Sequence, residues 1–173
     1  MSDIGAPATA PWRAGVIEDF ARSELFERTF QEGMDLVEET AAYLDGSGRQ
    51  DSKLLSRNAA LAYAAESMRL TTRLMQVASW LLVQRAVREG DMAAEAACEQ
   101  SYRLGDDPSG ARLDALKEGL PQALTQLLDR SERLFERVRH LDRRMYVESA
   151  VDPELPHPVL SQMARLQDAF ERH

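Results

Sequence analysis

The stretch Leu61–Ala86 carries apolar residues on two opposite sides, and this pattern constrains the fold more than any other feature of the chain. Leu61, Ala65, Met68, Thr72, Met75, Ser79, Leu82 and Ala86 recur at steps of four and three. Leu70, Leu74, Val77 and Leu81 follow the same steps two residues out of phase. On an α-helix an offset of two residues is a rotation of about 200°, so the stripes lie back to back. A surface helix needs one apolar face. A helix with two sits at the centre of a core, or between a core and a partner chain. The pattern therefore points to a protein whose work is contact.

The chain has 173 residues, enough for one domain with a sizeable core plus tails. Its apolar mass is mostly Leu and Ala, aromatic content is 6%, and β-branched residues are few, which favours helices over strands. The formal net charge of −8 argues against a chain-wide footprint for nucleic acid or anionic membrane. Cys98 is the single cysteine, so no internal disulfide forms. Met1–Gly15 lacks the basic start and apolar run of a signal peptide, and no apolar stretch approaches the ~20 residues of a membrane span. The expectation is a cytoplasmic protein with no membrane span.

Punctuation divides the chain into residues 1–14, rich in Pro, Gly and small residues and read as a disordered N-terminus; a helical bundle domain, 15–150; and a Pro-punctuated tail, 151–173. A first long helix spans Val16–Leu44, with Phe26, Phe30, Met34, Val37, Ala41 and Leu44 on one face. Gly46 and Gly48 stop it. A second runs from Ser52 to Glu89, with Gly90 as a break. A third begins near Leu120 with Pro121 in its first turn, and Leu120, Leu124, Leu127, Ser131, Leu134, Val138, Leu141 and Met145 form a heptad seam with one polar member.

Three long helices on short loops predict an all-α, antiparallel up-down-up bundle. One stripe of the second helix serves this bundle. The stripe Leu70, Leu74, Val77 and Leu81 is assigned to a symmetric homodimer, because an exposed apolar face of that length is costly. The alternative is that Asp91–Tyr102 or the tail covers it within one chain. Acids dominate the first helix and arginines the end of the third, so the two attract across the bundle surface, at ~0–1 kcal/mol for each exposed pair.

Chemistry is hard to place. His140, His157 and His173 are scattered, and the paired Glu-x-x-His motifs of a di-metal bundle are missing, so no metal is expected. Cys98 has no histidine or basic neighbour in sequence to lower its pKa. Glu38 and Glu39 are adjacent and so point apart on a helix. The arginines Arg130–Arg144 are interrupted by acids and lack stacking aromatics, which argues against a nucleic-acid groove. No catalytic residue and no cofactor are assigned. The tail, by contrast, is a linker followed by a short amphipathic segment, a design that recurs in peptide recognition.

Particular runs resemble a known family. Phe26-Glu27-Arg28-Thr29-Phe30, Leu36-Val37-Glu38-Glu39 and Tyr43-Leu44-Asp45-Gly46 carry the likeness in the first helix. The run Tyr63-Ala64-Ala65-Glu66-Ser67-Met68-Arg69-Leu70-Thr71-Thr72-Arg73-Leu74-Met75-Gln76, with Ala78-Ser79-Trp80-Leu81-Leu82, carries it in the second. On these residues the chain is similar to the regulator of CtrA degradation (RcdA) family of alphaproteobacteria.

The resemblance implies a dimeric, all-helical, non-enzymatic adaptor of the ClpXP protease, cytoplasmic and recruited to a cell pole. Its implied partners are ClpX primed by a CpdR-like response regulator, a PopA-like cyclic-di-GMP receptor, and CtrA with other protein substrates. An adaptor works by effective concentration and needs contact surfaces and an arm. Leu155, Val159, Met163, Leu166 and Phe170 are the expected partner contact, with the acidic face of the first helix as a second surface. The alternative is a homodimeric helical scaffold or polar-localisation protein without a protease link.

Overall fold

The computed structural model describes residues 11–107 and 119–146. Six α-helices follow in order among these: α1 Pro11–Ala21, α2 Glu24–Asp45, α3 Ser47–Lys53, α4 Arg57–Glu89, α5 Ala94–Ala97 and α6 Gln122–Tyr146. A 3₁₀ turn, Gln100–Tyr102, lies between α5 and α6. The all-α bundle predicted from the sequence is what forms.

The first long helix is two. Ser23 breaks it: its backbone is extended, and its hydroxyl accepts from the Phe26 amide at 3.1 Å, capping α2. Glu24 and Glu27 then sit in the first turn, where carboxylates suit the helix dipole. Ser56 caps α4 in the same way through the Ala59 amide. Gly90 ends α4 at φ 80°, the left-handed conformation glycine reaches without strain. Residues 11–14, expected to belong to a disordered N-terminus, are helical, since α1 begins at Pro11 and Ala14 is buried; the rest of that expected segment lies outside the described residues.

The helix directions correct the up-down-up expectation. α2 runs antiparallel to α4, since Glu27 pairs with Arg88 at one end and Gly33 abuts Leu81 further along. α4 and α6 run parallel: Gly119 lies beside Ala59, Arg73 bonds Ser131, and Trp80 bonds Asp142. The chain between Glu89 and Gln122 is long enough to return to the start of α4, and a long crossover permits parallel neighbours.

Trp80, Phe26 and Phe135 are the largest fully buried side chains among the described residues, and Ile17 of α1 joins them with Leu81 and Leu134. Phe20 of α1 lies 5.7 Å from the Trp80 ring centroid. On α2 the buried stripe is Phe26, Thr29, Gly33, Leu36, Thr40 and Tyr43, turned from the predicted Phe30–Leu44 face, which is half-buried or exposed at its edge. Gly33 explains the turn. A Cβ there would meet Leu81 Cδ1 at 2.7 Å, so α2 and α4 approach through a residue without a side chain.

Candidate partner-binding surface

α4 places its two stripes as the sequence pattern requires, but with their roles exchanged. Leu70, Leu74, Val77 and Leu81 are 0–4% exposed within the single chain, against α2 and α6. They are therefore unavailable to a second copy, and their assignment to a dimer interface is corrected. The face left open is the other one. Leu61, Met68, Met75 and Leu82 are 65%, 73%, 65% and 51% exposed. Ala65, Thr72 and Ser79, also exposed, alternate with them. Large apolar residues thus repeat every seven positions, with small residues between, as in a coiled-coil seam lacking its partner helix.

Grooves border this stripe on both sides. Towards α2 lies an apolar depression of about 270 Å³ between Val37, Ala41 and Leu44 of α2 and Thr71, Met75 and Ala78 of α4. Towards the crossover lies one of about 480 Å³, between Thr72, Gln76 and Val83 of α4 and Ser101, Tyr102 and Gly105.

A polar clasp holds the crossover that walls the second groove. The buried Asp142 carboxylate accepts from Trp80 Nε1 at 3.0 Å, from the Leu104 amide at 3.2 Å and from Arg103 at 2.9 Å. Arg103 stacks over the Tyr146 ring, 5.5 Å from its centroid. The Tyr146 hydroxyl donates to the Ala97 carbonyl at 2.7 Å, and burial pushes its pKa up to about 12. Nearer the bundle centre, the buried Arg73 donates to Ser131 Oγ at 3.0 Å and to Asp107. Ser131, the polar member of the α6 seam, is there because a buried guanidinium needs an acceptor.

The acid–base attraction between the first and third long helices is present as cross-helix pairs. Glu32 meets Arg137 at 2.5 Å and Glu39 meets Arg130 at 2.6 Å, all largely solvent-exposed. Cys98 is buried, its thiol donates to the Ala94 carbonyl, and burial raises its pKa, opposite to what a nucleophile requires. His140 is exposed on α6. Among the described residues no three His, Cys, Asp or Glu side chains converge to hold a metal, and no helix is long and apolar enough to cross a membrane. The predicted tail contacts Leu155, Val159, Met163, Leu166 and Phe170 lie outside the described residues. The sequence pattern contains both stripes but not the clasp, whose residues Arg73, Arg103 and Asp142 are ordinary charged side chains until folding buries Arg73 and Asp142 and half-buries Arg103.

A family model described as "Protein of unknown function (DUF1465)" matches residues 17–170. The crystal structure of RcdA from Caulobacter crescentus CB15 is similar at 71% identity, with a TM-score of 0.62, covering 75% of this chain and 98% of that one. No curated protein sequence matches the chain.

Proposed function

The chain belongs to the RcdA family, the regulators of CtrA degradation, and on that premise we propose that it is a non-enzymatic adaptor of regulated proteolysis. It tethers substrates and further adaptors to ClpXP whose ClpX unfoldase has been primed by a CpdR-like response regulator. Its partners include a PopA-like cyclic-di-GMP receptor and CtrA, and it acts as a homodimer in the cytoplasm, gathered at a cell pole. The observation that carries this reading is the 71% identity over 98% of the RcdA chain.

The physical character of the molecule supports it. A rigid bundle with paired charges and an unpartnered apolar stripe offers surfaces, and an adaptor's effect comes from holding two proteins at high local concentration. The tail residues Leu155, Val159, Met163, Leu166 and Phe170 make the contact with primed protease or polar partner. The exposed acids of α2 are a second surface, for a basic cargo segment.

The test is reconstituted ClpXP degradation of a CtrA-type substrate with the priming regulator and the PopA-like receptor. The full-length chain is compared with one ending at Ala150. Acceleration by the full chain and none by the shorter one is the expected result. Equal acceleration by both moves the contact onto the bundle. No acceleration by either across a panel of cognate substrates refutes the adaptor and favours the scaffold reading.

A further inference from the structure

The four longer helices are not held alike. α2 is tied to α4 by Glu27 with Arg88, and to α6 by Glu32 with Arg137 and Glu39 with Arg130. α4 is tied to α6 by Trp80 on Asp142 and Arg73 on Ser131. α1 has no such tie: among the described residues, no side chain of Pro11–Ala21 makes a hydrogen bond or ion pair to another helix. Its ion pair, Glu18 with Arg22, is local, and the buried Arg13 Nε has no acceptor among the described residues.

Nor does α1 hold itself. At 11 residues it is shorter than the length at which a helix becomes stable alone in water. Gly15, Val16 and Ile17 are weak helix formers in succession. No acid stands in its first turn and no base in its last, so its dipole goes uncompensated. What holds it is apolar burial. Ala14, Ile17 and Ala21 are buried, and Phe20 packs on the Phe26 and Trp80 rings, each 5.7 Å away between centroids.

The joint to the rest suits movement. Ser23 is extended between α1 and α2, and its hydroxyl caps α2 through the Phe26 amide, so α2 keeps its start without α1. Segments with few polar ties and little helix preference of their own open locally, below the free energy of global unfolding. We propose that α1 is a detachable cap that swings open at Arg22–Ser23 while α2, α4 and α6 stay folded. It hides Trp80 and Phe26. The open form therefore presents an apolar seat for a partner's amphipathic helix with an aliphatic and an aromatic residue three apart, the pattern of Ile17 and Phe20.

Cys98 reports the opening. It is the single cysteine and it is buried. Its thiol feels the charge of Arg13, which places it beside the first turn of α1, and α1 packs on α5, which ends next to it. On the purified full-length chain, its rate of reaction with a dilute thiol reagent follows the population of the open form. Gly15 supplies one control, since it is exposed and a Cβ there meets nothing within 4 Å. Leu70 supplies the other: it is fully buried on α4, about 15 Å along that helix from Trp80.

The cap predicts labelling that barely changes with the first additions of urea, because a small opening exposes little surface. Gly15→Ala should slow it about two- to fivefold by strengthening α1. Leu70→Ala should lower the urea midpoint and leave the labelling rate in water within about twofold of the natural chain's. Labelling that climbs with urea as steeply as global unfolding does, and speeds more than about tenfold in Leu70→Ala, means that only whole-chain unfolding reaches the thiol and overturns the proposal. Labelling that is local but indifferent to Gly15→Ala places the opening elsewhere and overturns it too. No protease enters the test, so its outcome is independent of the adaptor reading.

Discussion

The two faces of α4 have similar apolar content and opposite fates. The inner face, Leu70, Leu74, Val77 and Leu81, is closed by α2 and α6; the outer face, Leu61, Met68, Met75 and Leu82, meets no described element. The inner face is Leu and Val, and near it lie polar groups that only folding can satisfy: Arg73 on Ser131, Trp80 on Asp142. The outer face mixes Met and Leu with Ala, Thr and Ser. Apolarity marks a helix face for burial. It does not say whether the cover comes from the core or from something that arrives later.

Substitutions that separate the faces sharpen this comparison. The largest effect is expected from Asp142→Ala, which leaves an indole N–H, an amide and a guanidinium unsatisfied against a buried site. Breaking one side of such a pair costs about 3–5 kcal/mol, read as a fall in the urea midpoint. Leu81→Ala on the inner face should cost about 2–5 kcal/mol by the cavity it opens, measured in the same way. A loss below about 1 kcal/mol there would mean that the tight α2–α4 contact at Gly33 is absent.

Alkaline pH reads the clasp. The Tyr146 pKa is raised to about 12 by burial, from an ordinary value of 10.0. Between those values the folded chain keeps a proton that the unfolded chain releases, so stability is full below pH 10 and falls as pH rises towards 12. Tyr146→Phe should flatten that decline by about 1–3 kcal/mol, followed as unfolding free energy from pH 8 to 11.5. The smallest effect belongs to the outer face. Met68→Gln should shift stability by no more than about 0.5 kcal/mol, and a loss like that of Leu81→Ala would erase the distinction between the faces.

Much of this fold is legible in the sequence. The α6 seam buries Leu124, Leu127, Ser131, Leu134, Val138 and Met145 at the spacing predicted. Gly90 ends α4 where glycine in a helical pattern suggests an end. Legibility fails where the answer depends on a neighbour. Periodicity finds both stripes of α4, but which one meets the core is fixed by the close approach at Gly33. Likewise, the direction of α6 is set by the path of the crossover, and no local preference encodes it. The buried α2 face lies about a quarter turn from the predicted one because Thr29, Gly33 and Thr40 look polar or neutral in sequence yet are buried, Gly33 letting Leu81 of α4 approach. Ser131 was the readable hint of the polar clasp: a lone hydroxyl in an apolar seam asks for a buried partner.

The central claim is that α4's inner face holds the fold of the single chain while its outer face does not. The most direct measurement is the urea midpoint of the full-length Met75→Glu chain in dilute protein, beside that of Leu81→Ala. The account predicts a Met75→Glu midpoint close to that of the natural chain, because Met75 is 65% exposed, and a clear fall for Leu81→Ala, because Leu81 is fully buried. A fall for Met75→Glu as large as that for Leu81→Ala would contradict it.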